Sequence, residues 1–245
     1  MRRAVLVSIA GRTFYAATGS SRFPLPASIC ISEAMSDDFY SNDNEPPGQT
    51  FTISDAELEA LEAELPILAG LRRFAEEAVN LPWFTDLGRP LDKETRALAR
   101  SYLDGLGFPD AEVARIRNWE EAADAAMTFD IEPLQWEAEE SLRAALAAEA
   151  VDRVSEQGLS IAMTHVSALL GQRMRQAVGD AAHFWDIGDE GLLNAAAGAA
   201  LQSAHNAALA LIAEEDHDHP FRRKFTLFAR GRWPIGIAGL TLNLF

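Results

Sequence analysis

The stretch from Gly191 to Glu215 constrains the fold more than any other. Ala195, Ala196, Ala197, Gly198, Ala199, Ala200, Ala204, Ala207 and Ala208 place small residues on every face of a helix. A helix that is narrow all round lets neighbours approach closely from several sides at once. The predicted fold class is therefore mainly α, a multi-helix bundle built around this central Ala-rich helix. Asn194, Gln202, Ser203, His205 and Asn206 interrupt the apolar run, and each would need a partner in lipid. The segment is expected to be buried in protein and not to span a membrane.

Helical signals continue on either side. Ser54-Asp55-Ala56-Glu57 forms a capping box, in which serine and glutamate satisfy each other's free amides. Leu58, Leu61 and Leu65 follow on one face; Pro66 restarts the helix, and Ile67, Leu68, Leu71, Phe74 and Val79 carry a second apolar stripe. Asn80 to Pro90 is expected to be a loop. Asp92 is the N-cap of a helix carrying Leu98, Tyr102 and Leu106, ended by Gly105 or Gly107 in the left-handed conformation. Pro109-Asp110 opens a short helix through Arg117, and Trp119 to Phe129 forms another. Pro133 begins a long amphipathic run through Val154 that stops near Gly158, after which a further helix covers Leu159 to Trp185. Pro220 and Gly231 bracket Phe221, Phe225 and Phe228 at helical spacing, with a strand over Phe225 to Ala229 as the alternative, and Trp233 to Phe245 alternates as a short C-terminal β-hairpin.

The N-terminal part reads differently. Residues 1–53 are expected to be a disordered or loosely attached leader, since 1–34 show neither periodicity nor turn logic and the acids and prolines up to Gly48 do not build a core. Met35 opens a polar run typical of a chain start, so the native protein is expected to begin there. Met1 to Ile9 superficially resembles a secretory signal, but Arg12 cuts its apolar region short. Residues 54–245 then form a single helical domain with a basic C-terminal segment, 220–245, in which Arg222, Arg223, Lys224, Arg230 and Arg232 stand without any acid.

Charge limits the partners. Over 245 residues the formal net charge is −16, which repels phosphate backbones and anionic lipid. No nucleic acid and no membrane are expected as partners, and a basic protein fits best. The single cysteine, Cys30, allows no intrachain disulfide and suits a cytoplasmic location.

Two functional readings follow. In the first, the chain is an acidic helical binding or inhibitory protein that meets a basic partner by charge complementarity, as bacterial immunity proteins do; this is an analogy of class, with no family behind it. Glu57 and Glu64 on the first helix would contribute to that face. Arg230, Arg232 and Trp233 are of the residue types that dominate interface hot spots, although a basic tail on an acidic protein also pairs with its own helices, which is the preferred reading. In the second, the chain is a metal-dependent enzyme. Glu214 and His217 have the Glu-x-x-His spacing of carboxylate-bridged di-metal bundles, and Asp180 with His183 repeats it on the preceding helix. Such a site between the last two core helices would take Fe, Mn or Zn. The run at 214–219 also ends at Pro220, where hydrophilic residues are ordinarily solvated. His217-Asp218 lacks the later aspartate that metal-dependent phosphohydrolases require, no serine lies in a Gly-x-Ser-x-Gly elbow, and no glycine run has phosphate-loop spacing.

Overall fold

The fold is built around the helix that the small residues predict. A computed structural model describes residues 63–127 and 133–245, together with the strand pairing of 4–9, 12–17 and 50–51. The chain divides into two units, Met1–Leu61 and Glu62–Phe245.

In the second unit, helix α1 (Pro66–Val79) is followed by α2 (Lys93–Leu106), β4 (Glu112–Arg115), α3 (Trp119–Met127), α4 (Pro133–Trp185), α5 (Glu190–Ile212), α6 (Pro220–Ala229), β5 (Pro234–Ala238) and β6 (Thr241–Leu244). The first unit contributes β1 (Ala4–Ile9), β2 (Arg12–Ala17) and β3 (Thr50–Phe51). Helix α5 is the centre. From Ser203 to Ala210 every residue is buried, including Ala204, Ala207 and Ala208, because only side chains this small let α4, α1 and α6 close on the same helix.

Local chemistry sets the helix ends as expected. Asp92 Oδ1 accepts from the Thr95 amide at 2.6 Å and caps α2, and Gly107, at φ 87°, closes it in the left-handed region. Pro66 and Pro220 occupy first-turn positions of α1 and α6, where a missing N–H costs nothing. Asp189 caps α5 by accepting from Leu192 N at 3.0 Å. The capping box at Ser54 lies outside the described residues.

Two expectations are corrected. Residues 109–117 do not form a helix: Glu112–Arg115 is strand β4, hydrogen-bonded in parallel to β6. The C-terminal hairpin of β5 and β6 is present, but it belongs to a three-stranded sheet in the order β4-β6-β5. Glu112, Ala114 and Arg115 are good helix formers, so the pairing with β6 overrides local preference and decides their conformation. Second, residues 1–34 are not without strand structure. Ala4–Ile9 pairs antiparallel with Arg12–Ala17, and β3 pairs in parallel with β1; Val5, Leu6, Val7 and Ile9 are the branched, apolar residues that a pleated strand favours. The break expected after Val154 is present: α4 joins two helical segments at Ser155, which adopts φ 65° and ψ 165°, and the second segment runs to Trp185.

The sheet, α2 and α6 enclose an apolar cluster of Leu91, Leu103, Leu227, Ile237, Leu242 and Leu244. Aromatic residues seal its neighbourhood. Trp119 meets Phe245 edge-on at 5.3 Å and Trp233 at 6.0 Å, while Trp83 lies against Phe225 and Phe228 and donates its indole N–H to the Ala78 carbonyl at 2.7 Å.

Candidate functional site

The four metal-ligand candidates are not brought together. Asp180 and His183 lie in the last turns of α4, beside the short connection to α5. Glu214 and His217 lie beyond the far end of α5, whose 23 residues span about 34 Å at 1.5 Å per residue. All four are exposed, and Glu214 is paired with Arg153 at 2.5 Å. The Glu-x-x-His spacing recurs, but in a helical hairpin whose connection reverses direction the two copies sit at opposite ends. Among the described residues no group of three or more histidines, cysteines or carboxylates is placed to hold a metal ion.

The basic C-terminal segment is turned inward. Arg223 pairs with Asp218, and Arg230 bridges Asp92 and Glu94 at 3.3 and 3.2 Å. Arg232 is buried, donating to the carbonyls of Arg89 and Pro90 at 2.7 and 2.9 Å and lying 3.5 Å from the Asp86 carboxylate. Trp233 is also buried, its backbone exchanging hydrogen bonds with Phe245. Arg232 and Trp233 are therefore structural, while Arg230 is half-exposed within its ion pairs.

Lys224 makes the most buried of these pairs. Its ammonium donates to both Glu139 carboxylate oxygens, at 2.7 and 3.0 Å. Tyr102 Oη donates to the same carboxylate, as does Gln135 Nε2 at 3.1 Å, while Gln135 Oε1 accepts from Ile237 N at 2.5 Å. Burial pushes the Glu139 carboxyl up, but the Lys224 charge and the three sets of donors outweigh it and hold it below the usual carboxylate value. Burial, reinforced by the Glu139 charge and hydrogen bond, pushes the Tyr102 phenol well above its usual value. Every charge in this cluster is answered within it, so its chemistry is that of a clamp joining α2, α4, α6 and β5.

His205 meets Ser167 Oγ at 2.8 Å across the α4–α5 contact. Burial pushes its imidazole down to about 4, against the backbone bond of Met163, so it is neutral at pH 7. Ser167 also donates to the Met163 carbonyl at 3.0 Å, so the imidazole is a buried, hydrogen-bonded core group.

The turn between α4 and α5 is open to solvent. Trp185 anchors it, its ring over Gly88 and 6.3 Å from Phe245. Its neighbour Phe184 faces outward and is 84% exposed. Asp180, one helical turn before Phe184, shares its face, and Asp186, Asp189 and Glu190 follow within the turn, all exposed. Asp186 sits at φ 56°, a left-handed conformation that costs a non-glycine residue energy and sharpens the reversal. Among the described residues none of these four carboxylates has an ion-pair partner. Phe184 was not singled out by its sequence, where it reads as one more apolar residue of an amphipathic helix; the signal was the pair Phe184-Trp185, which cannot both face the core. Of the expected acidic contacts, Glu64 is exposed just before α1, and Glu57 lies outside the described residues.

Comparison with family models, with curated proteins and with solved structures gives no match for this chain. No helix among the described residues is long and apolar enough to cross a membrane.

Proposed function

We propose that the chain is a binding protein that meets a basic protein partner through an acidic surface centred on the α4–α5 turn, and that it acts by association and not by catalysis. One observation carries this reading. The cations of the C-terminal segment are engaged internally, whereas Asp180, Asp186, Asp189 and Glu190, exposed and without counter-ions among the described residues, lie close in sequence to the exposed Phe184. An aromatic ring near exposed carboxylates suits a lysine- or arginine-bearing surface, since the charges steer the encounter and the ring offers apolar area and a cation–π face.

The test is capture of partners by the immobilised full chain beside Phe184→Ser and an Asp186→Asn/Asp189→Asn variant. Proteins of high isoelectric point should be retained by the native chain, lost from both variants, and associate more slowly as salt rises, because the Debye length is already about 10 Å at 0.1 M. Capture that ignores both variants and salt would remove the acidic turn from the function. Stoichiometric Fe, Mn or Zn in the purified protein, lost on Asp180→Ala or His217→Ala together with a turnover, would establish the enzyme reading instead.

A further inference from the structure

Helix α4 is interrupted at one residue. Ser155 stands at φ 65° and ψ 165°, a backbone region nearly reserved for glycine, with helix on both sides and no linker. Its hydroxyl accepts from the Gly158 amide at 3.3 Å and so caps the second segment. A strained serine thus joins residues 63–154 to residues 156–245.

Neither half is complete alone. Among the described residues, strand β4 in the first half has its one strand partner, β6, in the second. Glu139 and Tyr102 answer Lys224, Arg153 answers Glu214, Asp92 and Glu94 answer Arg230, and the Val79 carbonyl accepts from Arg173 Nε at 3.1 Å. Leu146, Ala150 and Val154, at the end of the first segment, are buried. All of these contacts cross the break, and each is indifferent to whether the two halves belong to one chain or to two.

We infer that the partner built into this fold is a second copy of the chain: Ser155 is the hinge of a domain swap in which α4 straightens and residues 63–154 of each copy close on residues 156–245 of the other. In that dimer Glu139 meets Lys224 of the second copy, every interface between the halves is re-formed, and the two strained serines become ordinary helical residues. Short, strained hinges favour such exchange. Straightened, the 53 residues of α4 reach about 80 Å at 1.5 Å per residue. This inference is independent of which surface meets a basic partner.

Two substitutions push the hinge in opposite directions. Ser155→Gly accepts the bent conformation without strain and keeps the monomer; Ser155→Ala removes the cap and prefers a helix. The full-length chains, in a Cys30→Ser background with Arg153→Cys and Glu214→Cys, are refolded at high concentration, sized by light scattering and treated with a bis-maleimide. Ser155→Ala should dimerise at least about tenfold more tightly than Ser155→Gly, with its cross-link between chains, whereas Ser155→Gly should be monomeric and cross-linked within the chain. Equal dimerisation of the two variants, or a dimer cross-linked only within chains, overturns the inference. Should Ser155→Ala fail to fold, Ser155 itself serves: concentrated refolding must give an inter-chain dimer that Ser155→Gly does not form, and its absence counts equally against the swap.

Discussion

Replacing Lys224 by methionine removes one charge from a pair whose other member stays in place. Glu139 and Lys224 have side chains only 18% and 14% exposed, so in the variant the carboxylate keeps the Tyr102 and Gln135 donors but loses its counter-charge and two of its hydrogen bonds. Breaking a buried pair in this way costs about 3–5 kcal/mol, and the residual solvent contact lowers that to about 2–4 kcal/mol at pH 7.5. The pH dependence identifies the cause. In the native protein the Glu139 carboxyl is held below its ordinary value of 4.5, so its contribution is complete above that value and is lost as pH falls through the depressed one. In Lys224→Met the lysine charge is gone and burial is opposed by the Tyr102 and Gln135 donors alone, so the carboxyl should rise from its native value. The variant is then relieved by protonation, and its deficit should shrink as pH falls from 7.5 to 5. Urea unfolding at both values measures this. Glu139→Leu/Lys224→Met should recover part of the loss, the remainder reflecting the Tyr102 hydroxyl left without its acceptor. A deficit under about 1 kcal/mol that is the same at both pH values would refute the clamp.

Two further substitutions test the packing. Ala200 is fully buried and Ala199 half-buried on the central helix, so Ala200→Leu should cost about 1–3 kcal/mol by thermal unfolding and Ala199→Leu clearly less. Gly107 and Gly231 both have positive φ, but a Cβ at Gly107 meets open space whereas one at Gly231 falls 2.8 Å from the Asp86 amide and 3.0 Å from the Pro82 carbonyl; Gly107→Ala should therefore cost about 1–2 kcal/mol and Gly231→Ala more, in the same assay.

The residues that reveal themselves in the sequence are those whose conformation is set nearby. Asp92, Gly107, Pro66 and Pro220 act through backbone groups within a turn of themselves, and the alanines of α5 act through size alone, so helix limits and the central element are legible. Glu112–Arg115 is not, because its strand exists only through residues 241–244. The clamp escapes for the same reason: Tyr102, Glu139 and Lys224 are far apart in sequence and each reads as an ordinary helical residue. The metal tetrad failed in the opposite way. Spacing within one helix specifies a shared face, but the direction of the next helix decides whether two such faces meet.

The order of strands has a bearing on how the molecule is made. The middle strand of the sheet, β6, is encoded after both of its neighbours, and its Leu242 and Leu244, with Phe245, are fully buried. On the ribosome β4 has been translated long before residues 241–244 exist, so it waits as an unpaired edge while α3, α4 and α5 are synthesised. Closure of the sheet is a late, non-local event, slow for the same reason that high contact order is slow. Termination at residue 240 would release a chain with its helices encoded and its sheet missing its central strand, a nascent product that invites quality control.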